Sequence, residues 1–415
     1  RALGLRRLDL IEDAVQSALV QAMQAWPRRG IPDDPAAWLF RVAKNVALDA
    51  LRREQIWDRV RGDLRPDEAM PPVELPLPGE VGDEPLRLLV ACCHESLPVE
   101  SQVTLALKTV SGFSAAEIAR ALLTTEANVQ KRLTRAKERL REVDFDPSAF
   151  APGQLASRMD AVLIILHLIF NEGYASAGSD AMIRHDLCAE AARLTLLLAE
   201  QTGAAPAQAL LALMCFQAAR FDARLNEGGE LVLLADQDRS RWDRTLIAQG
   251  WVWLRAAARG ELLSRYHLEA ALAAEHCLAP TFAETPWQRI VGLYDQLLRL
   301  EPSPVHALNR AVAIAYLHGP QAALASLEPW NHQGGPAGYS YWPATLGELH
   351  RRLGHFAQAE HYLRQALCLT QSTPERQLLE QRLRLCTAGV TEKHREDQSS
   401  LPPDPTTLPP PVPPA

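Results

Sequence analysis

The sequence predicts an all-α protein: two small helical domains joined by a proline-rich tether, then a long helical region. Three observations carry that expectation. Alanine, leucine, arginine and glutamate dominate, apolar residues recur with a period near 3.6, and strand signals are sparse. Prolines 66, 71, 72, 76 and 78 crowd a stretch that cannot stay helical and behaves as an extended tether. Finally, 415 residues with 47% hydrophobic content are enough for two or three domains with real cores.

The first domain spans residues 1–60. In DLIEDAVQSALVQAMQAW, residues Ile11, Ala14, Val15, Ala18, Leu19, Ala22 and Trp26 form one apolar face, and Glu12, Asp13 and Gln16 lie away from it. A loop, PRRGIPDDP, is expected at 27–35. Asp34 is placed to cap, and Pro35 to open, the helix PAAWLFRVAKNVALDALRR. There Leu39, Val42, Ala43, Val46 and Ala50 turn inward, while Arg41, Lys44, Asn45 and Arg52 form a polar, mostly basic face.

The tether occupies 61–85 and the second domain 86–143. Within it, SGFSAAEIARALLTTEANVQKRLTRAKERLR reads as a helix-turn-helix. Ser114 and Glu117 make a capping box, Ile118, Ala119 and Leu122 follow on an apolar face, and Leu123–Thr124 form the turn. Thr125 caps a second helix whose inner stripe is Val129, Leu133, Ala136 and Leu140. Its opposite face carries Asn128, Lys131, Arg132, Arg135 and Arg139, suited to phosphates and base edges in a major groove. An isolated basic helix is as readily a solvated surface helix; the tight turn and capped preceding helix favour DNA. After a break, DFDPSAFAPG, helices are expected over 153–390, and a proline-rich tail at 391–415 is read as disordered or polyproline II.

Composition narrows the function classes. A net charge of −7 does not fit a protein coated for nonspecific nucleic-acid binding, so DNA contact must come from local basic faces. Seven scattered cysteines fit a reducing cytosol, and hence a cytoplasmic location, better than a disulfide framework. LIILHLIF at 163–170 is too short to span a bilayer and reads as a buried helix segment; no signal peptide is visible. Cys92, Cys93 and His94 lack the spacing of zinc ligands and read as helix-core residues. Asn171, Glu172 and Tyr174, with His167 and His185, are compatible with a polar ligand pocket, although structural roles are favoured. Trp242, Trp251, Trp253 and Trp287 read as interhelical packing. With no nucleophile–base arrangement or phosphate loop, the expectation is a binding protein without metal or cofactor, not an enzyme.

These segments resemble a bacterial RNA polymerase sigma factor of the extracytoplasmic-function type. The resemblance rests on the acidic helix DLIEDAVQSALVQAMQAW, the helix DDPAAWLFRVAKNVALDALRRE and the helix-turn-helix GFSAAEIARALLTTEANVQKRLTRAKERLR, which cover most of 9–53 and 86–142. The ordered pair across a tether is far more specific than any one part. The family's first helix is only partly represented by RALGLRRLDL, so the region 2-like domain is read as N-terminally incomplete. The resemblance implies core RNA polymerase and promoter DNA as partners, with nucleotidyl transfer left to the polymerase. It places Glu12, Asp13 and Gln16 on the polymerase clamp. Arg28, Arg29, Ile31 and Asp33 fall at a pocket that holds a base flipped from the downstream element. Trp38, Arg41, Lys44, Asn45 and Arg52 lie behind that pocket, where Trp38 reads equally as a stacking aromatic or a core residue. Asn128, Lys131, Arg132, Arg135 and Arg139 would read the upstream element.

In the long C-terminal region, 344–375 resembles a tetratricopeptide repeat through Leu346, Gly347, Gly354, Ala359, Ala366 and Pro374. A weaker echo at 306–328 carries Ala311, Gly319 and Ala323. Two units fall short of the roughly three a solenoid needs, so the preceding segment must supply further packed helices. The layout is similar to sigma factors with a tetratricopeptide-like extension, an α-solenoid. That likeness implies that the extension modulates activity in place of an anti-sigma protein. It also implies a protein or small-molecule partner, a DGPF-type protein of the YCII-related family being the one it points to. Two other readings are a helix-turn-helix regulator without sigma activity and a helical scaffold or sensor. The acidic and melting helices argue against the first, whereas only binding data dispose of the second.

Overall fold

Small side chains bring the first two helices together. On α1 (Leu8–Arg29), Ala14, Ala18 and Ala22 recur every four residues and are buried, as is Ala47 on the facing α2 (Pro35–Val60). The computed structural model describes residues 8–60, 83–141, 152–174, 183–260, 262–331, 335–336, 338–370 and 372–399. The buried strip of α1 is narrower than its sequence pattern. Val15 and Leu19, expected inside, are each 46% exposed, because among the described residues the seam against α2 is filled by the alanines. The helix also outlasts its expected end. Pro27 sits in its last turn, where a proline forfeits one hydrogen bond without stopping the chain. Gly30 ends it instead, with φ +83° and its N–H returning to the Trp26 carbonyl at 3.0 Å. Asp34 Oδ1 accepts the Ala37 N–H at 2.9 Å, the cap expected for α2.

Helix α3 (Glu84–Cys92) starts with Asp83 Oδ1 accepting the Leu86 N–H at 3.1 Å, and is followed by α4 (Val99–Thr109), α5 (Ala115–Ala121) and α6 (Glu126–Arg141). The centre is α4, buried continuously from Ser101 to Leu107 and packed against α3 and α6. Its buried Gln102 is satisfied by donating to the carbonyls of His94 and Leu97, at 3.0 and 2.8 Å, which holds the α3–α4 connection in place. Helix α7 (Pro152–Tyr174) then places buried Arg158 Nη1 3.2 Å from the Val90 carbonyl of α3.

By its contacts the chain forms two units, residues 1–118 with 125–165, and residues 119–124 with 166–415. That division falls inside α7, whereas the change in composition lies before residue 153. The second unit continues through α8 (His185–Thr202), α9 (Ala205–Ala218), the short α10 (Phe221–Arg224), α11 (Arg244–Ala257), α12 (Arg265–Leu278) and α13 (Trp287–Leu300). Beyond them lie α14 (Pro304–Leu317), α15 (Pro320–Asn331), α16 (Tyr341–Arg352), α17 (Phe356–Leu369) and α18 (Thr373–Ser399), the last reaching past 390. Helix α9 is apolar all round and lies among α8, α11 and α12; from α12 onward each helix packs on the next, the one-dimensional logic of a solenoid.

Both repeat-like segments are helical hairpins. Gly319 and Gly354 turn them with φ +88° and +72°. Gly347 permits close approach of α16 and α17, since a Cβ there would lie 2.9 Å from Leu363 Cγ. Among the described residues the only extended pairing is one bridge, Leu225 with Leu231, and no helix is long and apolar enough to cross a membrane.

Candidate nucleic-acid interface

The two helices of the helix-turn-helix are defined by their own ends. Ser114 N–H donates to Glu117 Oε2 at 2.7 Å and Glu117 N–H to Ser114 Oγ at 3.2 Å, a complete capping box at the start of α5. At its end, the Leu123 N–H reaches the Arg120 carbonyl at 3.1 Å and the Thr124 N–H the Ala119 carbonyl at 2.9 Å. That pair of bonds is a Schellman motif, and it puts Leu123 in the left-handed region at φ +47°, a position glycine usually takes. Thr125 Oγ1 then accepts the Asn128 N–H at 3.3 Å and α6 begins.

Helix α6 carries six basic and two acidic residues, sorted by face. Val129, Leu133, Ala136 and Leu140 are buried, as the spacing required. Asn128, Lys131, Arg135 and Arg139 are exposed and Arg132 half-buried, so the five residues share one outer face about 16 Å long at 1.5 Å per residue. Such a surface can neutralise phosphates and present forked donors to base edges.

The first domain presents its expected residues less uniformly. Asp13 and Gln16 are exposed, but Glu12 is engaged: its Oε2 lies 2.8 Å from Lys137 Nζ on the flank of α6. No local pattern marks that pair, which is 125 residues apart in the chain. Ile31 and Asp33 are exposed between α1 and α2. Arg28 and Arg29 belong to the last turn of α1 and not to the loop; their side chains, and that of Arg52, lie outside the described residues. Trp38 is half-buried, edge-on to Trp26 with centroids 5.6 Å apart, which is packing, while Arg41, Lys44 and Asn45 are exposed along α2. Phe40, outside the inward stripe and outside the set expected from sequence, is 72% exposed one turn before Lys44.

The other groups singled out from sequence have structural surroundings. Burial pushes the Cys92 thiol up to about 11, although a 3.2 Å contact with Thr109 Oγ1 opposes it, and Cys93 is raised by burial as well; neither is a thiolate at neutral pH. His94 turns to Ser96, at 2.9 Å. The polar set near the end of α7 does not converge on one pocket. His167 faces Glu269 of α12 at 3.7 Å, whereas Tyr174 and His185 gather round Phe221, with Arg224 lying 3.6 Å over the Tyr174 ring. Asn171 is half-buried and Glu172 buried.

Known proteins divide the chain along similar lines. Residues 2–56 match the family Sigma-70 region 2, residues 87–140 match Sigma-70, region 4, and residues 158–258 match a family of unknown function (DUF6596). An ECF RNA polymerase sigma factor, SigL, from Mycobacterium tuberculosis (strain ATCC 25618 / H37Rv) is 36% identical over 131 residues, 31% of this chain and 72% of SigL. The uncharacterized protein R00370 of Rhizobium meliloti (strain 1021) is 38% identical over 385 residues, 89% of this chain and 88% of that protein. No solved structure matches the chain.

Proposed function

This chain belongs to the ECF RNA polymerase sigma factors, and on that premise we propose how its parts divide the work of transcription initiation. The observation that carries the reading is the exposed basic face of α6, in a helix-turn-helix whose first helix starts with a capping box and ends in a Schellman turn. That face enters the major groove of the upstream promoter element. Glu12, Asp13 and Gln16 dock on core RNA polymerase. Arg28, Arg29, Ile31 and Asp33 hold a flipped base of the downstream element, offsetting an unstacking cost of a few kcal/mol. Arg41, Lys44, Asn45 and Arg52 follow the melted strand, and Trp38 supports the loop from behind through Trp26. The polymerase performs the chemistry, in the cytoplasm, and the chain itself is no enzyme.

The C-terminal helices modulate this activity by engaging a partner, for which a DGPF-type protein of the YCII-related family is the candidate. Co-elution of the two purified proteins tests that pairing, and separate elution removes it.

Run-off transcription with core polymerase and a library of promoter fragments tests the main reading. Transcripts starting from a defined subset of promoters are expected. DNA binding without any transcript would make the chain a helix-turn-helix regulator instead. Arg132→Ala and Arg135→Ala should each weaken upstream-element binding by about 1–3 kcal/mol where the residue reads a base. Unchanged affinity in both variants would remove α6 from the interface. Charge reversal at Glu12 and Asp13 should lower polymerase affinity while leaving helicity intact.

A further inference from the structure

Between α10 and α11 the chain folds through a single 3-10 turn, Arg239–Arg241, and gathers arginines around Trp242. The guanidinium carbons of Arg239 and Arg220 lie 4.7 and 5.4 Å from the centroid of the Trp242 ring, which is 2% exposed. Arg239, itself 9% exposed, sends Nη1 to the carbonyls of His276 and Ala279 at 2.7 and 2.6 Å, at the C-terminal end of α12 where a cation complements the helix dipole. Arg244 Nη2 lies 3.3 Å from the Arg239 carbonyl.

This positive cluster is uncompensated. Among the described residues none of Arg220, Arg239 and Arg244 pairs with a carboxylate, and Arg220 Nε donates instead to the neutral Gln237 amide at 3.3 Å. The flanking carboxylates are committed elsewhere: Glu275 to Arg289 at 2.7 Å, Asp243 to the start of α11, and Asp238 to Ser240. Three buried polar atoms of the cluster also have no hydrogen-bond partner among the described residues, namely Arg239 Nη2, Trp242 Nε1 and His276 Nδ1. Leaving such polar groups unmet costs on the order of 1–3 kcal/mol each, more for a charged group. The field is felt by His276, whose imidazole is pushed down to about 3, first by burial and then by Arg220 and Arg239.

We propose that this cluster binds a small oxyanion, with Arg239 and Trp242 donating from within and Arg220 closing over it from the solvent side. Guanidinium forks match the paired oxygens of a phosphate or a carboxylate, and either group satisfies the same donors. Arg220 is half-buried and Arg244 exposed, so the cluster reaches solvent. The site lies outside the parts assigned to DNA and polymerase, and its existence does not depend on that assignment. It makes the C-terminal region a receptor for a small acidic metabolite or a phosphorylated group.

Calorimetric titration of the full chain in phosphate-free buffer tests this. Inorganic phosphate and succinate are the two probes, each at an ionic strength matched with chloride. Saturable binding of at least one is expected, together with a rise in thermal midpoint; the responding probe identifies the anion class. Arg220→Gln, at a half-buried position, should weaken that binding about tenfold or more while keeping the circular dichroism spectrum, and Arg244→Gln should do so by less. The His276 imidazole, followed by NMR, should titrate at higher pH when the anion is bound. Absence of saturable binding by both probes overturns the site and leaves Arg239 a staple for α12. Equal affinity in the parent chain and the Arg220→Gln variant overturns it too.

Discussion

Leu123 shows what a single residue contributes to the placement of a whole reading helix. A leucine at φ +47° costs about 1–2 kcal/mol through the clash of its Cβ with the backbone, and with 44% of its surface exposed its side chain recovers little by burial. Glycine takes this conformation freely but loses more backbone entropy on folding, about 0.5–1 kcal/mol. Leu123→Gly should therefore stabilise the protein by about 0.5–1 kcal/mol, read as a higher urea midpoint with unchanged slope. A lower midpoint would mean that contacts of the leucine outweigh the strain. The turn at Leu123–Thr124 was legible in the sequence, but its left-handed geometry was not, because leucine gives no hint of it. The two faces of α6 were legible residue by residue, since an apolar stripe against a basic one is a local contrast. Glu12 and Lys137 show the opposite case, a pair created by tertiary structure with nothing in either helix to announce it. Arg28 and Arg29 were misplaced because Pro27 reads as a helix breaker, whereas in a last turn it is tolerated.

At the scale of elements, helices α7, α12 and α14 meet around one half-buried carboxylate. Glu269 lies 3.7 Å from His167 and 3.8 Å from His306, with Arg265, Glu301, Tyr266 and Tyr294 also acting on this group. The two imidazoles respond in opposite directions. Burial lowers His167 below 6.5 and outweighs Glu269, whereas for His306 burial, the largest single influence, is outweighed by Glu269 and Glu301 together, so that group rises above 6.5. Burial would raise Glu269, but the neighbouring His167, His306 and Arg265 hold it below 4.5. The signs then set a stability optimum. Below 6.5 the unfolded chain takes up a proton that folded His167 resists, so stability falls as pH drops; below 4.5 the contribution of Glu269 is lost as well. Above 6.5 the stabilisation from protonated His306 is lost as pH rises through its folded value. In the pH profile of the thermal midpoint, His306→Gln should flatten the alkaline side and His167→Gln the acid side; a profile unchanged by both would show that the cluster does not control it. The repeat hairpins containing Gly319, Gly347 and Gly354 could be read in advance because tight turns and close approach demand particular residue types. This cluster could not, because its members come from three helices whose adjacency only the fold supplies.

For the whole molecule, the informative disagreement is where one unit ends. Composition changes before α7, and the sequence reading divided the chain at 153; the contacts divide it between Ile165 and Leu166. A change in composition marks where helix formation fails, whereas a unit is set by what each buried side chain packs against, and α7 is buried on both sides of the division, at Leu163 and Ile165 as at Leu166 and Phe170. Leu155, Val162, Leu163 and Ile165 are buried in the first half of α7, and Arg158 reaches the Val90 carbonyl of α3. Burying one such apolar side chain contributes about 1.5–3 kcal/mol, and the hydrogen bond about 1 kcal/mol. A chain ending at 150 should therefore unfold several kcal/mol more easily than one ending at 174, although both contain all of α6. Urea midpoints and upstream-element affinity of the two chains check this, with the shorter one expected to be weaker in both. Equal midpoints would assign all of α7 to the C-terminal region. The choice of end point decides what a transcription experiment means, since removal from 150 mixes loss of the C-terminal helices with damage to the domain that holds α6. The chain ending at 174 should keep promoter affinity, and a transcript yield different from that of the full chain would then be attributable to the C-terminal helices.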